Sequence, residues 1–321
     1  MITDWTLVGD PHATHKSLDR LSQLFGVVES MGRPAIWTGD LLDTKEVIRG
    51  KCQNAFFEYF KNSKLFHVIL VGNHDWFNLE CLDHSLRTLS ALPNVLVVDK
   101  LTVFEGITFL PYIHDLQKLK EEISKVSTPI LVAHLDVLNF DFGNGQMCEK
   151  GLDLKDLSKI PLVISGHFHK YQAQSNLVYV GSPFTHSFGE SDQTKYIGQL
   201  SNGFFSVVKN PLPFHTTYKM NLEQQESILG LDSFVKANSG NFIRVELIGP
   251  QSLISGFYRD AYEPLGIRFV PRPTDVEALN VSIDEGLDNS QQFVVWAKTI
   301  RKLDQPTVDL GLSILRSLNA K

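Results

Sequence analysis

An α/β protein with two sheets, followed by a small α+β module, is what this sequence predicts, and two observations carry the prediction. Over roughly the first two-thirds of the chain, short apolar runs alternate with stretches whose apolar residues recur at helical spacing. From about Asn221 that alternation gives way to a helix–strand–helix–strand series and then to helical patterns alone. At 321 residues the chain is long enough to hold one large domain and a smaller one.

Taken in order, residues 5–8 form the first apolar run, closed by Gly9-Asp10-Pro11-His12, and residues 17–30 have helical spacing. Residues 35–38 form the next strand, closed by Gly39-Asp40-Leu41-Leu42-Asp43, and residues 47–61 the next helix. The run at 67–71 ends in Gly72-Asn73-His74-Asp75. Strands follow at 95–98, 101–104 and 107–110; the run at 130–133 ends in His134, and that at 162–165 in Gly166-His167-Phe168-His169. Strands at 178–180, 204–208 and 216–220 complete the body, which accordingly spans residues 1–220. A module over 221–281 follows, with helices at 228–237 and 253–262 and strands at 242–248 and 267–270. The last segment, 282–321, reads as helices at 291–303 and 308–318 flanking Asp304-Gln305-Pro306, a helix stop and restart.

Composition excludes some classes of function. No apolar run approaches the ~20 residues that span a bilayer, and the N-terminus lacks a basic segment followed by an apolar stretch, so neither a membrane partner nor secretion is expected. Cys52, Cys81 and Cys148 lack metal-ligand spacing and are expected to be reduced, which fits a cytoplasmic setting. The net charge of -6 argues against unaided binding of nucleic acid, because phosphate contacts dominate such affinity. Bound cations or a partner subunit would offset it.

The strongest signal is the residue type at five strand ends. Loops at the carboxyl ends of strands converge on a common crevice in open α/β sheets. Here five such loops deliver Asp10, His12, Asp40, Asn73, His134, His167 and His169, oxygen and imidazole donors with no thiolate among them. A lone histidine at a strand end is usually a satisfied polar residue; five such loops in series are a poor fit to chance. Seven donors exceed the needs of one tetrahedral ion and suit two, with Asp40 as the bridging candidate. Two ions about 3.5–4 Å apart can clamp a phosphate and acidify a shared water. Glycine precedes the polar residue in four of the five loops, as a close backbone approach requires.

The series D-x-H, G-D-x-x-D, G-N-H-D, H, G-H-x-H resembles the calcineurin-like metallophosphoesterase superfamily over about the first 220 residues. The resemblance implies a four-layer α/β/β/α sandwich. It implies one ion on Asp10, His12, Asp40 and His169, and a second on Asp40, Asn73, His134 and His167. It makes His74 the general acid or transition-state stabiliser, with Asp75 orienting it and Asp43 on the substrate side; loop hydrogen bonding or capping is an equal alternative for both acids. Thr44-Lys45 after Asp43 departs from the arginine of protein phosphatases.

The run Gly181-Ser182-Pro183-Phe184-Thr185-His186-Ser187-Phe188-Gly189-Glu190 is similar to the G-S-P…S-F-G-E segment of SbcD-type DNA repair nuclease subunits and continues into Lys195. Asp43 matches the bacterial type, and the short chain with Gly9-Asp10 resembles phage-type members of that group, exonuclease subunit 1. That resemblance implies a DNA exonuclease, able also to nick single strands, with two divalent ions, Mn2+ by preference. It also implies a capping domain at 221–281 and a homodimer within a complex with an SbcC-type ATPase. No G-x-x-x-x-G-K-[ST] loop occurs in the chain, so ATP hydrolysis falls to that partner. The terminal helices, with apolar faces built from Val294, Val295, Ile300, Leu303, Leu310, Ile314, Leu315 and Leu318, would grip it or pack on their own core.

Two alternatives stay open: a small-molecule phosphodiesterase such as a cyclic-nucleotide hydrolase, and a non-catalytic scaffold on the same fold. His186 could approach DNA, although a structural role is expected. His15, His67, His84, His114 and His215 lack the strand-end context and read as ordinary, and Phe56, Phe57, Tyr59 and Phe60 read as core.

Overall fold

The computed structural model describes residues 2–44, 49–143, 145–191, 193–275, 293, 294, 297 and 304–319. The expected helix at 291–303 therefore lies almost wholly outside the described residues.

The first sheet contains β1 (Asp4–Val8), β2 (Ala35–Trp37), β3 (His67–Leu70) and β4 (Val95–Val98), all parallel, extended antiparallel by β11 (Tyr196–Ser201) and β12 (Phe204–Lys209) in the order β12-β11-β1-β2-β3-β4. The second runs β5-β6-β7-β8-β10-β9, with β6 (Ile107–Leu110), β7 (Ile130–His134), β8 (Leu162–Gly166) and β10 (Leu177–Tyr179) parallel. Its antiparallel edges are β5 (Thr102–Phe104) and β9 (Gln172–Gln174).

Side-chain alternation along the strands builds the layers. Trp5, Leu7, Ile36, Val68 and Leu70 face Ile107, Phe109, Val132, Ile164 and Val180 in a core between the two sheets. Their neighbours Val8, Ala35, Trp37 and Ile69 face outward onto α1 (Leu18–Met31) and α2 (Gly50–Asn62). On the other side Leu110, Leu131, Ala133 and Val163 meet Leu119 and Ile123 of α3 (Leu116–Ser124). The arrangement is the four-layer α/β/β/α sandwich. Phe56 and Phe60 are buried around Trp37, and Tyr59 stacks on Phe25 with ring centroids 4.0 Å apart, so this aromatic group is core, as expected. His67 is core as well: it accepts from Trp37 Nε1, and burial pushes its pKa down to about 4.

The third sheet differs from expectation in one respect. The strand read at 216–220 as part of the body is β13 (His215–Asn221), and it pairs in parallel with β14 (Phe242–Gly249), which pairs with β15 (Arg268–Pro273). Helices α4 (Gln225–Ala237) and α5 (Gln251–Gly256) make the crossovers, and Met220, Leu231, Val245, Leu247 and Ile254 form a separate core. The helix expected at 253–262 stops early, because Phe257 turns extended to join the edge of that core. Arg20 of α1 ties this module to the body, its guanidinium lying between Phe184 (4.7 Å) and Phe242 (5.0 Å). The last helix, α6 (Gln305–Asn319), buries Val308 and leaves Leu310 63% exposed.

Candidate metal centre

The carboxyl ends of β1, β2, β3, β7 and β8 meet at one rim where the two sheets adjoin, and all seven expected donors lie there. Asp10, His12, Asp40 and His134 are buried; Asn73, His167 and His169 are half-buried. Asp40 sits centrally, its Oδ2 lying 3.4 Å from His12 Nε2 and 3.5 Å from His134 Nε2. On one side of it, His12 Nε2 meets His169 Nε2 at 3.0 Å. On the other, Asn73 Oδ1 lies 2.9 Å from both His134 Nε2 and His167 Nδ1.

Hydrogen bonds on the far side of each ring fix which nitrogen faces inward. His134 Nδ1–H donates to the Thr38 carbonyl at 2.8 Å, His167 Nε2–H to Asp136 at 2.6 Å, and His169 Nδ1–H to Glu190 at 3.0 Å. In the neutral rings the remaining nitrogens carry lone pairs, and these converge on one another and on carboxylate and amide oxygens. Acceptors facing acceptors at 3 Å are repulsive unless a proton or a metal cation lies among them; without metal the proton falls to His134, whose pKa burial lowers but Asp40 and Asp10 push up to about 9. Asp10 agrees: its buried Oδ1 has no hydrogen-bond partner among the described residues, although Oδ2 accepts from the His167 amide at 3.0 Å. Burial raises the Asp10 pKa, against the partial opposition of His134. Burial also acts on Asp40, but the imidazoles of His134, His12 and His74 outweigh it and hold that carboxyl well below the usual range. Charge of both signs is thus packed into a dry rim, and the donor set of carboxylate, amide and imidazole fits divalent ions of the first transition row.

The backbone is bent to achieve this. His12, Asp40 and His167 take φ of 41°, 50° and 93°, which L-residues rarely adopt and which cluster where function demands strain. The glycines expected before the ligands have two explanations. Gly39 needs its φ of 114°, whereas Gly72 is required by proximity: a Cβ there would lie 2.2 Å from Asp40 Oδ1 and 2.4 Å from Asp40 N. Gly72→Ala is therefore expected to destabilise the fold by about 1–3 kcal/mol and to remove the stabilisation that divalent ions confer. Gly26→Ala in α1, where nothing lies within 4 Å of the added carbon, should instead stabilise by about 0.5–1 kcal/mol. Thermal melts with and without Mn2+ measure both.

His74 stands beside the pair. Its Nδ1–H donates to the backbone carbonyl of Asp43 at 2.7 Å, and its amide donates to Asp40 Oδ1 at 2.7 Å. The Asp75 carboxyl is engaged elsewhere, accepting from the Gly72 amide at 3.0 Å and the Leu42 amide at 3.4 Å. It braces two ligand loops, and burial, with Asp40 nearby, pushes its pKa up to about 8. The Asp43 side chain is 41% exposed, 3.9 Å from His12 Nδ1.

Four participants carry no role in the sequence reading: Thr38, Asp136, Glu190 and Lys195. Asp136 follows His134 by two residues, which is a readable signal; the others are brought in by tertiary folding alone. A sixth strand end, that of β10, supplies the loop with Glu190, and that loop places the His186 ring 5.3 Å from His12 and 4.9 Å from His169. His186 Nε2–H donates to the Asp10 carbonyl at 3.3 Å, so its part is more central than expected. The clusters His12–Asp40–His74, Asp40–His134–His167 and His169–His186–Glu190 each bring three ligand-type atoms within 4.8 Å of one another.

Comparisons with known proteins place the chain in a family. The family model for calcineurin-like phosphoesterases matches residues 6–171, which include every candidate ligand. The chain is 27% identical over 205 residues to "Putative phosphoesterase 078R" of Invertebrate iridescent virus 3, covering 57% of this chain and 58% of that one. It is 30% identical over 169 residues to "Exonuclease subunit 1" of Enterobacteria phage T4, covering 49% of each. The alignments thus span only about half the length of these two relatives.

Proposed function

The chain belongs to the calcineurin-like phosphoesterase family, a family of hydrolases that use divalent metals, and from that premise we propose that it is a two-metal DNA nuclease. Asp10, His12, Asp40 and His169 would hold one ion, and Asp40, Asn73, His134 and His167 the other. The observation that carries this reading is the inward convergence of imidazole, amide and carboxylate lone pairs around Asp40. When bound, the ions neutralise phosphoryl charge and supply an acidified water.

The protein's own groups do the rest. With Nδ1–H committed to Asp43, His74 presents Nε2 to the substrate, where in its protonated form it would donate to the leaving sugar oxygen. Thr38, Asp136 and Glu190 hold three ligand rings in one tautomer. Asp75 fixes Gly72 and Leu42, and with them the loops bearing Asn73 and Asp40.

The choice of DNA is supported by the Gly181–Glu190 motif and by the similarity to the phage exonuclease subunit. In this reading the two-sheet body up to about residue 214 is the nuclease, the module that begins with β13 is the cap, and residues 282–321 are the contact to an SbcC-type ATPase in a dimeric complex active in DNA repair, recombination or replication. The partner would supply the cationic surface that a chain of net charge -6 lacks. The test is direct. Purified protein with Mn2+ is expected to degrade linear duplex DNA and to leave cyclic nucleotides intact, and an added ATPase partner to make cleavage ATP-dependent. Faster turnover of a cyclic nucleotide than of DNA would replace this reading with that of a small-molecule phosphodiesterase.

A further inference from the structure

The two histidines of Gly166-His167-Phe168-His169 are braced differently. His167 Nε2–H donates to Asp136 at 2.6 Å, a carboxylate that also accepts from the Tyr112 hydroxyl and has no lysine or arginine among its described partners. His169 Nδ1–H donates to Glu190 Oε1 at 3.0 Å, but Glu190 Oε2 lies 2.8 Å from the ammonium of Lys195. That ammonium is buried, and it also donates to the His169 carbonyl (2.7 Å), Ser182 Oγ (2.9 Å) and Gln193 Oε1 (3.0 Å). It is fixed in the wall of the centre, against the backbone of a ligand.

A carboxylate that accepts a proton from the outer nitrogen of a ligating imidazole increases the donor strength of the inner nitrogen and fixes its direction. An ammonium on the same carboxylate drains that effect and adds a positive charge near a site meant for cations. We propose that Asp136 and Glu190 are positioning residues for His167 and His169 respectively, and that Lys195, by neutralising Glu190, makes the ion on His169 the weaker, exchangeable member of the pair. The ion on His167 stays bound at low metal concentration. Activity then follows the loading of the second site, so the nuclease responds to the free concentration of divalent metal. The cluster His169–His186–Glu190 is accordingly a brace and not a third ion site, because Lys195 already provides its positive charge.

This inference rests on the paired-ion reading of the centre, and Mn2+ binding measured by calorimetry and electron paramagnetic resonance separates the two. Wild-type protein is expected to bind two ions of unequal affinity. Glu190→Gln should weaken the second class about 10–100-fold and spare the first; Asp136→Asn should weaken the first class by a similar factor. Lys195→Met should tighten the second class and narrow the gap between the two. A residue that merely stabilised the fold would move both classes together. Two equal affinities in the wild type, or both carboxylate variants weakening the same class or neither, would overturn the inference while leaving the paired-ion reading intact. No Mn2+ bound at all would overturn both. Melting without metal checks that each variant is folded, and the two carboxylate variants decide the matter if Lys195→Met is not.

Discussion

Asp40→Ala is expected to lose both ions and at least about 10³-fold in phosphodiester cleavage. Asp40 Oδ2 lies within 3.5 Å of ring nitrogens belonging to both halves of the centre, His12 and His134. Its Oδ1 meanwhile accepts the amide of His74 and so fixes the loop that carries Asn73. Removing the carboxyl thus withdraws a shared ligand and loosens a neighbour in one step. A single preorganised donor to a transition-state oxyanion is worth about 10²–10³ in rate, and the loss of two divalent charges must exceed that. The measurement has two parts. Wild-type protein should melt at a higher temperature when Mn2+ is added, by the linkage that adds about 2.7 kcal/mol at a hundredfold excess over Kd. The variant should show no such rise, with its metal-free secondary structure unchanged. Retention of the Mn2+-dependent shift in Asp40→Ala would remove Asp40 from its bridging role.

The centre was legible in the sequence because each of its donors lies next to a strand whose apolar run announces it. Leu7-Val8 before Asp10, Ile69-Leu70 before Asn73 and Ile164 before His167 are local signals, and they fix the chain position of the loops without knowledge of the fold. The second layer of the centre was less legible. Glu190 reaches His169 from 21 residues away, and the Thr38 carbonyl meets His134 across 96. No periodicity encodes such pairings. Of the two roles weighed for Asp75, the carboxyl takes the loop hydrogen bonding, while His74 is oriented by a backbone carbonyl, that of Asp43, and a carbonyl leaves no trace in residue type.

In the fold, the missing elements have physical reasons too. β11 contains Gly198, which interrupts the apolar alternation; it is needed because a Cβ there would lie 2.9 Å from the Phe205 ring and 3.0 Å from Leu7 Cβ. β9 is a three-residue edge strand of Gln-Ala-Gln with no apolar face to read. α3 was within reach: Leu119 and Ile123 are spaced for one face, and Asp115 caps the helix by accepting from the Lys118 amide at 2.7 Å. β13 was found as a strand, but its pairing was not, since a parallel partner joined through α4 lies 27 residues away in register.

His74→Ala is expected to behave in the opposite way to Asp40→Ala: both ions retained, with activity on duplex DNA down about 10²–10⁴-fold. Retention follows from which atom of His74 supports the centre. The contact to Asp40 Oδ1 is made by the backbone amide, 2.7 Å away, and an alanine keeps it. Only the imidazole goes, and with it the Nε2 left free by the bond from Nδ1 to the Asp43 carbonyl. If that nitrogen protonates the departing sugar oxygen, the loss should depend on how much the leaving group needs the proton. On the p-nitrophenyl ester of thymidine 5′-phosphate, whose phenolate departs unaided, the variant should lie within about tenfold of wild type, the leaving group replacing most of what general-acid catalysis contributes. An equal loss on both substrates would move His74 from proton donor to stabiliser of the phosphoryl oxygens. Wild-type rates on both would leave it with no part in the chemistry, and the leaving oxygen would have to take its proton from water.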